Sequence, residues 1–102
     1  MKYNKLVRDK IPEIIENNGQ RAKFRVLDGI EFRQYLEKKL DEEVNEFHES
    51  KSIEELADIF EVLTELVAVC GASYTCFMQI CNRKHEERGG FKRRLCLIEI
   101  EE

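Results

Sequence analysis

Two runs of apolar residues recur at helical spacing and are separated by a single tight turn. In the first, Leu36, Leu40, Val44 and Phe47 fall three or four residues apart; in the second, Leu56, Phe60, Leu63, Val67 and Cys70 do. Side chains at that period share one helix face, so two successive amphipathic helices are the strongest constraint on this chain. Asp28-Gly29-Ile30-Glu31 has the spacing of a capping box ahead of the first, which predicts a helix from about residue 30 to 50. Ser52-Ile53-Glu54-Glu55 opens the second, and Gly71 closes it. Ser73 opens a third that carries Phe77, Met78, Cys81 and His85 and stops at Gly89-Gly90. Pro12, the only proline, precedes Glu13-Ile14-Ile15-Glu16 and a stop at Gly19, which reads as a short helix near the start.

Two segments alternate instead. Phe24 and Val26 interleave with Lys23 and Arg25, and the stretch from Phe91 to Ile100 is apolar and short-period. The expected fold is mainly α: an antiparallel helical bundle with a small β-hairpin or ribbon from residues near 23–27 and 91–100. The helix at 53–70 is apolar around most of its circumference, so its neighbours include an oligomer partner. At 102 residues, with no repeat or linker, residues 1–102 make one domain.

Composition removes several functions. With 42% hydrophobic and 37% charged residues the chain is too apolar for disorder, and no apolar run approaches a membrane span. No apolar segment follows Met1-Lys2-Tyr3-Asn4-Lys5, so a cytoplasmic location is expected. A net charge of −4 disfavours a nucleic-acid polymer as partner, although residues 37–61 are acidic and 83–94 basic. Cys70, Cys76, Cys81 and Cys96 lack a Cys-x-x-Cys pair, and the first three lie among apolar residues, where thiols act as small hydrophobes. A zinc or redox role for them is the weaker alternative.

The chemistry lies in carboxylates placed where the period asks for apolar residues. The register Leu36, Leu40, 43, Phe47 puts Glu43 on the core seam, with Glu46 one turn on. Glu55 and Asp58 repeat that spacing on the next helix. A carboxylate on a buried seam is paired, protonated or bound to a cation. Lys39 and Lys51 stand four residues before Glu43 and Glu55, whereas Glu46 and Asp58 have no basic residue three or four away. Two same-face pairs of oxygen donors without His or Cys suit magnesium rather than zinc. The plainer reading makes Glu55 the closing member of a capping box with Ser52 and the other acids solvated surface.

Glu42-Glu43-Val44-Asn45-Glu46 followed by Glu55-Leu56-Ala57-Asp58 resembles the Glu-Glu-x-x-Glu and Glu-x-x-Asp signature of the all-α nucleoside triphosphate pyrophosphatases, the MazG-like group. The opening from Tyr3 to Pro12 and the ending Glu87-Arg88-Gly89-Gly90-Phe91 look like its phosphoribosyl-ATP pyrophosphohydrolase-like branch. The resemblance implies a homodimer or homotetramer that completes a four-helix core around Mg2+. It implies hydrolysis of a nucleoside triphosphate, or a related phosphoribosyl nucleotide, to the monophosphate and pyrophosphate, as in nucleotide-pool house-cleaning. Glu43, Glu46, Glu55 and Asp58 would hold the metal, with Glu42 as outer support. Only eight residues separate Glu46 from Glu55, fewer than is usual in that group, which implies a tight turn at 49–52.

Within that reading Glu46 and Glu43 are the expected catalytic groups, Glu46 as the base toward water. Lys5, Arg8, Lys84, Arg88, Lys92 and Arg93 are the expected grips on the triphosphate. Gly89-Gly90 is read as a turn before it is read as a phosphate cradle. His48, His85, Tyr35, Tyr74 and Phe77 carry no expected role in the chemistry. The alternative function is a catalytically weak or inactive helical oligomerisation or interaction module whose acidic stripe binds cations.

Overall fold

A computed structural model describes residues 3–101. The described chain is mainly helical, with four helices and no strand: α1 (Ile11–Asn17), α2 (Gly29–Ser50), α3 (Ile53–Val69) and α4 (Tyr74–Arg88). Their ends follow local chemistry. The Asp28 carboxylate accepts the Glu31 backbone N–H at 2.9 Å and the Ser73 hydroxyl accepts that of Cys76 at 3.1 Å, each satisfying a donor that a helix start leaves free. Pro12 occupies the first turn of α1, where a missing N–H costs nothing.

The α2–α3 connection is two residues long. Lys51 takes a left-handed conformation (φ 57°) and donates its N–H to the Phe47 carbonyl at 2.8 Å, which turns the chain back on itself. A loop this short forces an antiparallel αα-hairpin, and α2 against α3 is the main helix contact of the molecule. Leu36 and Val62, one from each helix, are its buried apolar residues, at 2% and 8% exposure. α4 touches α3 more sparingly, and among the described helices no other pair is in contact.

The ribbon expected from residues 23–27 and 91–100 does not form within the chain. Both segments are irregular, and Phe24, Val26, Leu95, Leu97, Ile98 and Ile100 are exposed. A two-stranded ribbon is marginal unless something covers a face of it, and no helix of this chain does so. The expected bundle is likewise not closed by one chain. The radius of gyration is 18.2 Å, against about 13 Å for a compact chain of this length. The accessible surface is 9642 Å², against roughly 6,000 Å² for a compact monomer of this mass. No described helix is long and apolar enough to cross a membrane.

Candidate metal centre

The α2–α3 seam buries a charge. Glu43 is 6% exposed, and with Leu36 and Val62 it makes up the fully buried set among the described residues. Its register put it there: Leu36 and Leu40 point the same stripe of α2 at α3. One of its carboxylate oxygens, Oε1, lies 3.4 Å from the Lys39 ammonium; the other, Oε2, is buried with no partner. Across the seam the Oε2 of Glu55 is buried and unpartnered in the same way. Leaving a buried carboxylate oxygen unpaired costs about 1–3 kcal/mol or more, and the seam carries two such atoms.

Glu43 joins two acidic groups. Its donor atoms lie within 4.8 Å of those of Glu55 and Asp58, which brings α2 and α3 to one point, and they also lie within 4.8 Å of those of Glu42 and Glu46. The expected four-ligand set is therefore split. Glu43, Glu55 and Asp58 converge, whereas Glu46 is exposed and groups with Glu42 and Glu43 on α2 alone. The donors are all carboxylate oxygens, which fits a hard divalent cation such as magnesium.

Charges around the site shift its acidity. Burial, more than any other effect, pushes the Glu43 carboxyl above its ordinary range, and the neighbouring like charge of Glu46 acts in the same direction. Lys39 opposes both, with its ammonium between Glu42 at 3.3 Å and Glu43 at 3.4 Å.

Two expected partnerships came out differently. Ser52 does not cap α3 with its side chain, and its backbone N–H goes to the Ser50 hydroxyl at 3.2 Å. Glu55 is thus not tied up in a capping box and is turned into the seam. Lys51, four residues before it, instead places its ammonium 5.9 Å from the centre of the Phe47 ring. The left-handed turn at Lys51 sends its side chain back along α2.

The segment before α1 is laid across the site. Arg8 donates to the Asp58 carboxylate at 2.7 Å, and the Lys5 ammonium lies 3.5 Å from Glu42. One strap thereby ties α2 to α3 on either side of Glu43. Lys5 also lines a cavity of about 100 Å³ with Asn4, Leu6, Tyr35, Lys38, Lys39 and Glu42. Two of the expected triphosphate grips, Lys5 and Arg8, are thus at the carboxylates.

The other four, Lys84, Arg88, Lys92 and Arg93, are exposed, do not line that cavity, and make no ion pair among the described residues. Gly89 acts as a turn: its φ is +79° and its N–H donates to the His85 carbonyl at 2.7 Å. Sequence reasoning paired Lys39 with Glu43, as the structure does, but left Lys38 and Tyr35 out of the site. The spacing of Lys39 to Glu42 and Glu43 carried the signal for that pairing, but nothing local marks the cavity.

No protein-family model, curated protein or solved structure matches the chain.

Proposed function

We propose that the protein is a magnesium-dependent hydrolase that cleaves a nucleoside triphosphate, or a related phosphoribosyl nucleotide, to the monophosphate and pyrophosphate. The observation that carries the reading is that Glu43 and Glu55, each with a buried and unpartnered oxygen, bring a carboxylate oxygen apiece within 4.8 Å of one another and of one from Asp58. Glu43, Glu55 and Asp58 would hold the cation from two helices, and Glu46 with Glu42 would stand beside it. The cation supplies charge neutralisation at phosphate oxygens and acidifies water.

The chain's own groups divide the remaining work. Glu46, exposed and adjacent to Glu43, accepts the proton of the water that attacks the α-phosphorus. The bond to the pyrophosphate oxygen breaks, and Lys5 and Arg8, paired with Glu42 and Asp58 in the free chain, would be the cations that receive the leaving phosphates. The resemblance of the acidic motifs to the MazG-like pyrophosphatases points the same way, and it supports Glu43, Glu46, Glu55 and Asp58 as one functional set.

The reading includes assembly. Ile53, Leu56 and Phe60 of α3 are exposed, and the surface exceeds that of a compact monomer by far more than the roughly 800 Å² per partner of a standard interface. A homodimer or homotetramer would cover that face and complete a four-helix core.

The test is pyrophosphate release from a panel of standard and non-standard nucleoside triphosphates, with magnesium and with EDTA. Release that needs magnesium and leaves the monophosphate is the expected result. No release from a folded, oligomeric chain would overturn it in favour of an interaction module with a cation-binding stripe.

A further inference from the structure

Residues 23–27 and 97–101 have no backbone pairing with any described part of their own chain. No backbone hydrogen bond among the described residues involves either segment, and Val26 and Ile98 are 98% and 91% exposed. Their sequences, Lys-Phe-Arg-Val-Leu and Leu-Ile-Glu-Ile-Glu, are complementary when run antiparallel. Lys23 then faces Glu101, Phe24 faces Ile100, Arg25 faces Glu99, Val26 faces Ile98 and Leu27 faces Leu97. Every apolar residue meets an apolar one and every cation meets an anion. A slip of one residue sets Val26 against Glu99 and Arg25 against Ile100 and turns the apolar set to the other face. A parallel alignment that keeps both ion pairs sets Val26 against Glu102.

We infer that these segments pair with each other between two copies of the chain, as antiparallel ribbons with the register Val26 opposite Ile98. In a two-fold dimer the exchange is reciprocal: each copy offers one 23–27 and one 97–101, so two identical ribbons form and neither segment is left without a partner. Backbone hydrogen bonds supply affinity and the charge pattern supplies register, as in strand addition generally. Arg25 is already held by Glu31 through both terminal nitrogens, at 3.1 and 3.0 Å, and its fork keeps donors for a second carboxylate. The 63 Å length of the chain and its surplus surface are what an exchanged segment leaves when one copy stands alone. The inference rests on the assembly part of the proposed function and not on its chemistry.

Charge exchange tests it. One chain carries Lys23→Glu and Arg25→Glu; a second, distinguished by a mass tag, carries Glu99→Lys and Glu101→Lys. Alone, each sets like charges opposite one another in both ribbons; mixed, both ribbons of the heterodimer are complementary again. Native mass spectrometry is expected to show the heterodimer about tenfold or more above either homodimer, and infrared spectroscopy a β-sheet amide band that returns on mixing. The milder pair Lys23→Glu with Glu101→Lys leaves Arg25–Glu31 intact and is expected to show a smaller preference of the same sign. Statistical mixing of the two chains overturns the ribbon while leaving a helix-mediated assembly standing. A β-sheet band that is present in the unaltered protein, lost in each variant and not restored by mixing overturns exchange in favour of pairing within one chain. Single chains for the unaltered protein overturn both the ribbon and the assembly reading.

Discussion

The α2–α3 seam and the segments that flank the helices break opposite rules. The seam buries a carboxylate, Glu43, where a leucine would pack; the flanks expose Val26, Ile98 and Ile100 where polar residues would be soluble. A buried acid and a bare apolar segment are the two observations that a folded chain does not make without cause. On the proposed reading the first is a ligand site and the second an assembly surface. Comparing them separates chemistry from assembly, since each departure can be removed without touching the other.

Glu43→Gln removes the first departure and is the most severe test. Pyrophosphate release is expected to fall on the order of 10³-fold, while stability in chemical denaturation rises by about 1 kcal/mol, because a buried charge with an orphaned oxygen becomes neutral. A loss of both activity and stability would mean that Glu43 is there for the fold.

Phe60→Glu addresses assembly through the helices rather than through the flanking segments. Phe60 is half exposed on α3, so one chain tolerates the change, but association across that face is expected to weaken by about 2 kcal/mol or more. Light scattering would show single chains with unchanged helix content. An unchanged oligomer would place the interface elsewhere.

Arg8→Met probes the strap between the two regions. The Arg8–Asp58 pair is half exposed on both sides, so stability should change by less than about 1 kcal/mol. Magnesium binding without nucleotide is expected to tighten, since a competing cation is gone, while KM for the triphosphate rises about tenfold. Weaker magnesium binding would make Arg8 a support of the carboxylates instead.

Lys51→Gly sharpens the seam's geometry. A non-glycine residue in the left-handed region costs about 1 kcal/mol, and glycine there should return that much in denaturation midpoint with activity unchanged.

The smallest effect is a slope. The carboxyl of Glu43 lies above its ordinary value of 4.5, so in the folded state it holds its proton to higher pH than in the unfolded chain. Between those two values the folded state binds more protons, and stability therefore falls as pH rises. In the metal-free protein the wild type should lose stability relative to Glu43→Gln over that interval, and the difference should level off above it.

The helices were legible because apolar period, caps and stops are local: Asp28 and Ser73 cap as their spacing indicates, and Gly89 ends α4. Glu43 was legible because it interrupts a leucine register. The Arg8–Asp58 pair was not, since it joins residues fifty positions apart and no period relates them. Ser52 misled for the opposite reason, a local one. The serine-to-glutamate spacing is that of a capping box, but Ser50, two residues earlier, competes for the same N–H. The ribbon segments show alternation, which records a preference for pairing but not the chain in which the partner lies.

The most direct measurement is a magnesium titration by calorimetry on the wild type and on Glu43→Gln, both without nucleotide. Binding in the wild type that is lost in a folded Glu43→Gln is the result expected of a cation site at the seam. Equal binding by both chains, or none by either, would contradict it and leave the buried carboxylates of α2 and α3 without the role assigned to them.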